Sequence, residues 1–175
     1  METFRLLCHP ESPSRHVRSV VVDLVRSGTE LSLVYSVDVS REQIALPDLQ
    51  TSERADGLWQ HTCFEAFIRS GNNAYSEFNF SPSGQWAAYD FGRYREGMRR
   101  REMLAPAITL ETTAAQIVLT AVFAISGLSG PLALSAVIEE IDGAKSYWAL
   151  AHAPGRPDFH HAACFAAPLP APRET

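Results

Sequence analysis

A chain of 175 residues, 46% hydrophobic and 20% charged, carries enough apolar side chains for one hydrophobic core, and this composition excludes a disordered or fibrous protein. Its net charge of −5 argues against a nucleic-acid partner, and no stretch approaches the roughly 20 consecutive apolar residues of a helical membrane span. Cys8, Cys63 and Cys164 stand in no CxxC spacing, so the sequence offers neither a disulfide framework nor a zinc knuckle.

The N-terminal METFRLLCHPESPSR has charges on both sides of a very short apolar run, unlike the core of a signal peptide, and a cytoplasmic location is the expectation. From Val17 onward, apolar and polar residues alternate with period two, the mark of half-buried strands. Val17 to Val25 is valine-rich, and Ser27-Gly28 is a turn. Leu31, Leu33, Tyr35, Val37 and Val39 then share one face, so the two runs read as a hairpin. Ser40 to Gly57 is a polar loop whose Pro47 does not suit a central strand. Cys63 to Arg69, Tyr75 to Ser81 and Trp86 to Phe91 form a predicted meander, joined by Ser70-Gly71-Asn72-Asn73 and Pro82-Ser83-Gly84. Gly92 to Arg101 reads as a polar loop or short irregular helix. Ile108 to Leu110, Gln116 to Ile125, Leu132 to Ile141 and Ser146 to Ala151 complete the strands. A Pro/Gly loop, a short segment around Phe165 and a Pro-rich tail over 168–175 follow. About nine short strands with regular turn punctuation predict an all-β sandwich or barrel with little helix, one domain over 1–167.

Within the meander, alternation puts Glu65, Glu77 and Asn79 opposite Phe64, Ile68, Phe78 and Phe80, which, with Leu119 and Phe123, are the expected core. A simple hairpin makes Glu65 and Asn79 cross-strand neighbours. Carboxylate and amide groups suit the hydroxyls of a sugar, and an aromatic face suits its C–H bonds. The same pattern also describes the merely solvated side of an antiparallel sheet, and both readings stay open. Trp59 is either a stacking surface or core; Trp148 reads as core, and Trp86 and Tyr89 lie on opposite faces.

Glu65 and Glu77 are a conceivable glycosidase pair, yet nothing in the sequence separates their environments. His61, Cys63, His160, His161 and Cys164 offer imidazole and thiolate in no metal-binding spacing, so no metal is expected. Haem would need an axial ligand such as His61, His152 or Met98, and no CxxCH motif is present. Arg93, Arg95, Arg99, Arg100 and Arg101 form the basic cluster. Guanidinium forks match carboxylate or phosphate, while Glu96 and Glu102 compensate a simple solvated loop; Arg93 and Tyr94 are the expected ligand contacts. There is no GxSxG elbow, P-loop or dinucleotide fingerprint.

Leu58 to Met98 contains LWQHTCFEAFI and YSEFNFSPSGQWAAYDFGRYREGM, and Tyr147 to Phe165 reads YWALAHAPGRPDFHHAACF. These segments resemble the DOMON-like superfamily of ligand-binding β-sandwiches, which includes the family-nine carbohydrate-binding modules. The resemblance extends to a bacterial subgroup associated with a UDP-N-acetylenolpyruvoylglucosamine reductase. It implies a jelly-roll-like antiparallel β-sandwich that binds a small ligand, sugar or haem, without catalysis. In sugar-binding relatives a Trp precedes a strand Glu by six residues, matched by Trp59 and Glu65; a polar residue after the next strand's Phe is matched by Asn79. A second clamping aromatic is matched by Phe159, where relatives have Trp, and Thr62 replaces a carboxylate of their WxxD pattern. The last segment resembles the family's ligand-side loop and final strand. The expected site is thus Trp59, Glu65, Glu77, Asn79, Arg93, Tyr94, Phe159 and His160, with a carbohydrate as partner. The alternatives are a haem-binding domain or a structural domain that docks proteins through its sheet edge.

Overall fold

The computed structural model describes residues 1–71 and 73–172; Asn72 of the predicted turn and the last three residues of the tail lie outside them. Eleven strands form: β1 (Glu2–Cys8), β2 (Ser19–Ser27), β3 (Glu30–Asp38), β4 (Cys63–Arg69), β5 (Tyr75–Phe80) and β6 (Trp86–Phe91). They continue with β7 (Arg99–Arg100), β8 (Ala107–Thr112), β9 (Gln116–Ala124), β10 (Leu132–Glu139) and β11 (Lys145–Ala149). The helical elements among the described residues are 3-10 turns of three residues each, so the all-β expectation holds.

The valine-rich hairpin forms as the pattern dictates. Ser27 pairs with Glu30 across the two-residue turn Gly28-Thr29, and Gly28 takes φ 56°, which a residue without Cβ adopts at little cost. The strands follow one continuous order, β7-β6-β5-β4-β10-β11-β1-β2-β3-β9-β8, each antiparallel to its neighbours. The packed layers expected of a sandwich are thus halves of one continuous sheet. β1 serves both halves: Glu2 to Leu6 pair with β2, while Leu7 and Cys8 pair with β11. The sheet curls there and packs on itself.

Apolar faces meet inside that curl, with Phe78 4.7 Å and Phe80 4.9 Å from Phe123, ring centre to ring centre, and Tyr35 5.0 Å from Phe64. Tyr35 satisfies its buried hydroxyl by donating to the Glu65 backbone carbonyl at 2.7 Å. Phe64, Ile68, Phe78, Phe80, Leu119 and Phe123 are all core, as are Trp86 and Trp148.

β4 and β5 differ from simple alternation, because they are buried on both faces. Their outer face carries a second cluster of Phe67, Tyr75, Phe91, Val137, Phe159 and Cys164, closed by the loop after β11. The solvated-face reading of Glu65, Glu77 and Asn79 is therefore wrong. The expected final strand around Phe165 is instead a 3-10 turn, Ala162–Cys164, followed by a lone bridge between Leu132 and Ala167.

Candidate ligand-binding site

The register of β4 and β5 places Glu65 directly opposite Asn79, and that of β5 and β6 places Glu77 opposite Tyr89. All lie on the outer face of the sheet, under a groove of about 1290 Å³. Glu65 and Glu77 line its floor. One wall is the turn Leu58–Gln60, entered through Gly57 at φ 76°, a left-handed conformation that favours glycine and turns the chain so that Trp59 stands at the rim, 55% exposed. Tyr89, Met98, Arg99 and Arg100 form the second wall, and Arg156, Pro157, Phe159 and His160 the third.

The floor is unusual for its chemistry. Glu65 is 2% and Glu77 6% exposed. Burial pushes both carboxyls above the usual carboxylate range, Glu65 well above it, and the proximity of Glu77 raises Glu65 further. Asn79 Nδ2 donates to Glu77 Oε1 at 2.8 Å, and the Ser135 hydroxyl reaches Glu65 Oε2 at 3.4 Å. Asn79 itself is buried beneath the floor, so it orients Glu77.

Burial, helped by the positive charge of Arg95, lowers His160 to about 4, so its imidazole is neutral near pH 7. The Tyr75 hydroxyl accepts from the Arg95 backbone N–H at 3.1 Å and shares a hydrogen bond of 2.8 Å with His160 Nδ1. The other ring nitrogen, Nε2, faces Glu77 Oε2 at 3.8 Å. With a neutral ring this is a dipolar contact rather than an ion pair.

Paired side chains fix the rim. Asp56 accepts from Tyr89 at 2.5 Å and Arg100 at 2.7 Å, tying the Trp59 wall to the β6–β7 wall. Asp158 accepts from Tyr94 at 2.5 Å and Arg95 at 2.8 Å, tying down the loop after β11.

Five expected site residues, Trp59, Glu65, Glu77, Phe159 and His160, thus line one groove. Trp59 is exposed, so its core alternative falls away. Phe159 needs correction as a clamping wall. It is 8% exposed, its ring centre 6.1 Å from that of Tyr147, and it presents little free face. Arg93 and Tyr94 also need correction. They line a neighbouring cavity of about 690 Å³ with Arg69, Tyr75 and Phe165, and Arg93 is engaged by Glu96. The chain reverses over 92–97, where Gly92 and Glu96 pair and Arg95 and Gly97 take positive φ; Arg95 and Met98 reach the groove instead.

Sequence reasoning missed Tyr89, Tyr147 and Arg156. Tyr89 carried a usable signal, since assigning Trp86 to the core sends Tyr89 to the groove side. Of the haem-ligand candidates, Met98 lines the groove; His61 contacts Glu139 at 2.7 Å and His152 the Leu7 carbonyl at 2.8 Å. Among the described residues no group of three His, Cys, Asp or Glu side chains is placed to hold a metal ion.

No protein-family model matches the chain, and no curated protein matches it in sequence. Among solved structures, the chain is similar to a crystal structure described as "a putative carbohydrate-binding protein" from Bacteroides uniformis ATCC 8492. The similarity has a TM-score of 0.66 at 16% identity, over 94% of this chain and 84% of the other. At that identity the likeness is one of fold, and it runs along nearly the whole length of this chain.

Proposed function

We propose that this protein is a non-catalytic carbohydrate-binding domain whose ligand lies in the groove between Trp59 and the Arg156–His160 loop. The observation that carries this reading is a floor of two buried, hydrogen-bonding carboxyl groups beneath an exposed tryptophan. A sugar ring presents hydroxyls at its edge and C–H bonds on its face. Glu65 and Glu77 meet the first, and Trp59 covers the second. Tyr89 and Tyr147 supply further half-buried aromatic surface near the floor. Fixed walls favour binding, because little ordering entropy is lost when the ligand enters. The resemblance of Trp59, Glu65 and Asn79 to the DOMON-like pattern supports the same assignment, as does the neighbour of shared fold.

The test is a thermal-shift screen against neutral and acidic oligosaccharides, run with wild type and Trp59→Ala. Ligand at a hundred times its Kd stabilises a protein by about 2.7 kcal/mol, an easily measured rise in Tm. The expected result is a glycan that raises the Tm of the wild type and has a much smaller effect on Trp59→Ala, whose own Tm is unchanged. Silence across the whole panel counts against the proposal. Release of new reducing ends from a bound glycan would move the assignment from binding to hydrolysis by Glu65 and Glu77.

A further inference from the structure

The groove gathers four guanidinium groups, Arg95, Arg99, Arg100 and Arg156, in a protein whose net charge is −5. Two are neutralised within the fold, Arg95 by Asp158 and Arg100 by Asp56. The other two are held less tightly. Arg99 pairs loosely, its Nε 3.6 Å from Asp90 Oδ2, while Asp90 Oδ1 accepts from Arg101 at 2.9 Å and Ser76 at 2.7 Å, and the Arg99 side chain is 79% exposed. Arg156 is exposed and makes no ion pair among the described residues. They rise from different walls, Arg99 from β7 and Arg156 from the loop after β11, so their charges converge on the groove from two sides.

We propose that the ligand is an acidic carbohydrate whose carboxylate is held at the rim by Arg99 and Arg156 while its hydroxyls meet Glu65 and Glu77 below. This rests on the carbohydrate-binding reading and adds the class of sugar. A guanidinium offers a planar fork that matches a carboxylate with two parallel hydrogen bonds. The acidic floor opposes such an anion less than two exposed carboxylates would, because burial raises both carboxyls above the usual range. Trp59, at the rim, stacks on the ring that joins the two ends.

The test uses matched pairs: oligomers of galacturonate, glucuronate and mannuronate, each beside its own methyl ester, which keeps the ring and removes the charge. Binding is measured by calorimetry for wild type and the Arg99→Gln/Arg156→Gln double variant, at low and high salt. At least one free acid should bind about tenfold or more tighter than its ester, as hydrogen bonds to a charged group imply. The double variant should lose that preference, binding acid and ester alike, and salt should weaken the acid alone. An ester that binds as tightly as its acid overturns the acidic ligand and leaves the carbohydrate reading standing. An acid preference untouched by the double variant overturns the roles of Arg99 and Arg156. If no member of any pair binds, the acidic-sugar proposal fails; neutral glycans active in the thermal screen would then still support carbohydrate binding.

Discussion

Glu65 and Glu77 are held where a carboxylate is costly, and burial raises both above the usual carboxylate range. The consequence for stability has a definite sign. A group whose folded pKa is raised contributes stability below its unfolded pKa, near 4.5, and that contribution fades as pH climbs through the folded pKa. His160 acts oppositely, since its lowered value costs stability as pH falls from about 6.5 towards 4. Comparing Glu65→Gln with wild type isolates the carboxyl. The stability difference between variant and wild type should move in favour of the variant as pH rises above 4.5, with a limiting slope of about 1.4 kcal/mol per pH unit for one proton, and level off once pH passes the folded pKa. A difference independent of pH would mean that Glu65 titrates as an ordinary exposed carboxyl. At this scale Trp59 and Glu65 were legible, because a spacing of six residues survives any choice of register. Arg93 and Tyr94 were not, since the direction of an irregular turn depends on the positive φ of Arg95 and Gly97, which periodicity does not encode.

Among the elements, the meander β4–β6 was readable from alternation and turn residues, and its register put Glu65 opposite Asn79 as expected. β1 was not readable. Of its seven residues one, Leu6, is fully buried, so a corner strand that pairs on both sides leaves almost no period-two signal. The family resemblance placed the loop after β11 on the ligand side, but the residue pattern did not reveal that it buries the outer face. Its polar and proline residues resemble a solvent loop, yet Phe159 and Cys164 are buried from it. Asp158 anchors that loop through Arg95 and Tyr94. Asp158→Asn should therefore loosen residues 154–161 without melting the sheet. Hydrogen exchange should rise in that loop and stay unchanged in β3 and β9, with a loss of about 1–3 kcal/mol in local stability from the weakened charged hydrogen bonds. Unchanged exchange in the loop would show that packing of Phe159 alone secures it.

At the scale of the molecule, one sheet curled at β1 produces two different faces: an inner face of mainly apolar packing, and an outer face that combines aromatic rings with buried acids. Composition and alternation predicted the first well, since apolar residues at every second position have one way to be buried. The second needed knowledge of what covers the sheet. The neighbour of shared fold shows that this architecture recurs at 16% identity, so the groove's chemistry must be judged from this chain's own side chains.

Trp59 provides the most direct measurement. Trp86 and Trp148 are 5% and 6% exposed, so a collisional quencher such as acrylamide reaches Trp59 selectively in the folded protein. Quenching is followed while oligosaccharides from the neutral and acidic panel are titrated in. A bound sugar stacked on Trp59 should shield it, reducing the quenching constant saturably, with the midpoint matching the Kd from calorimetry. A glycan that binds by calorimetry while Trp59 stays as quenchable as in the free protein would contradict the site.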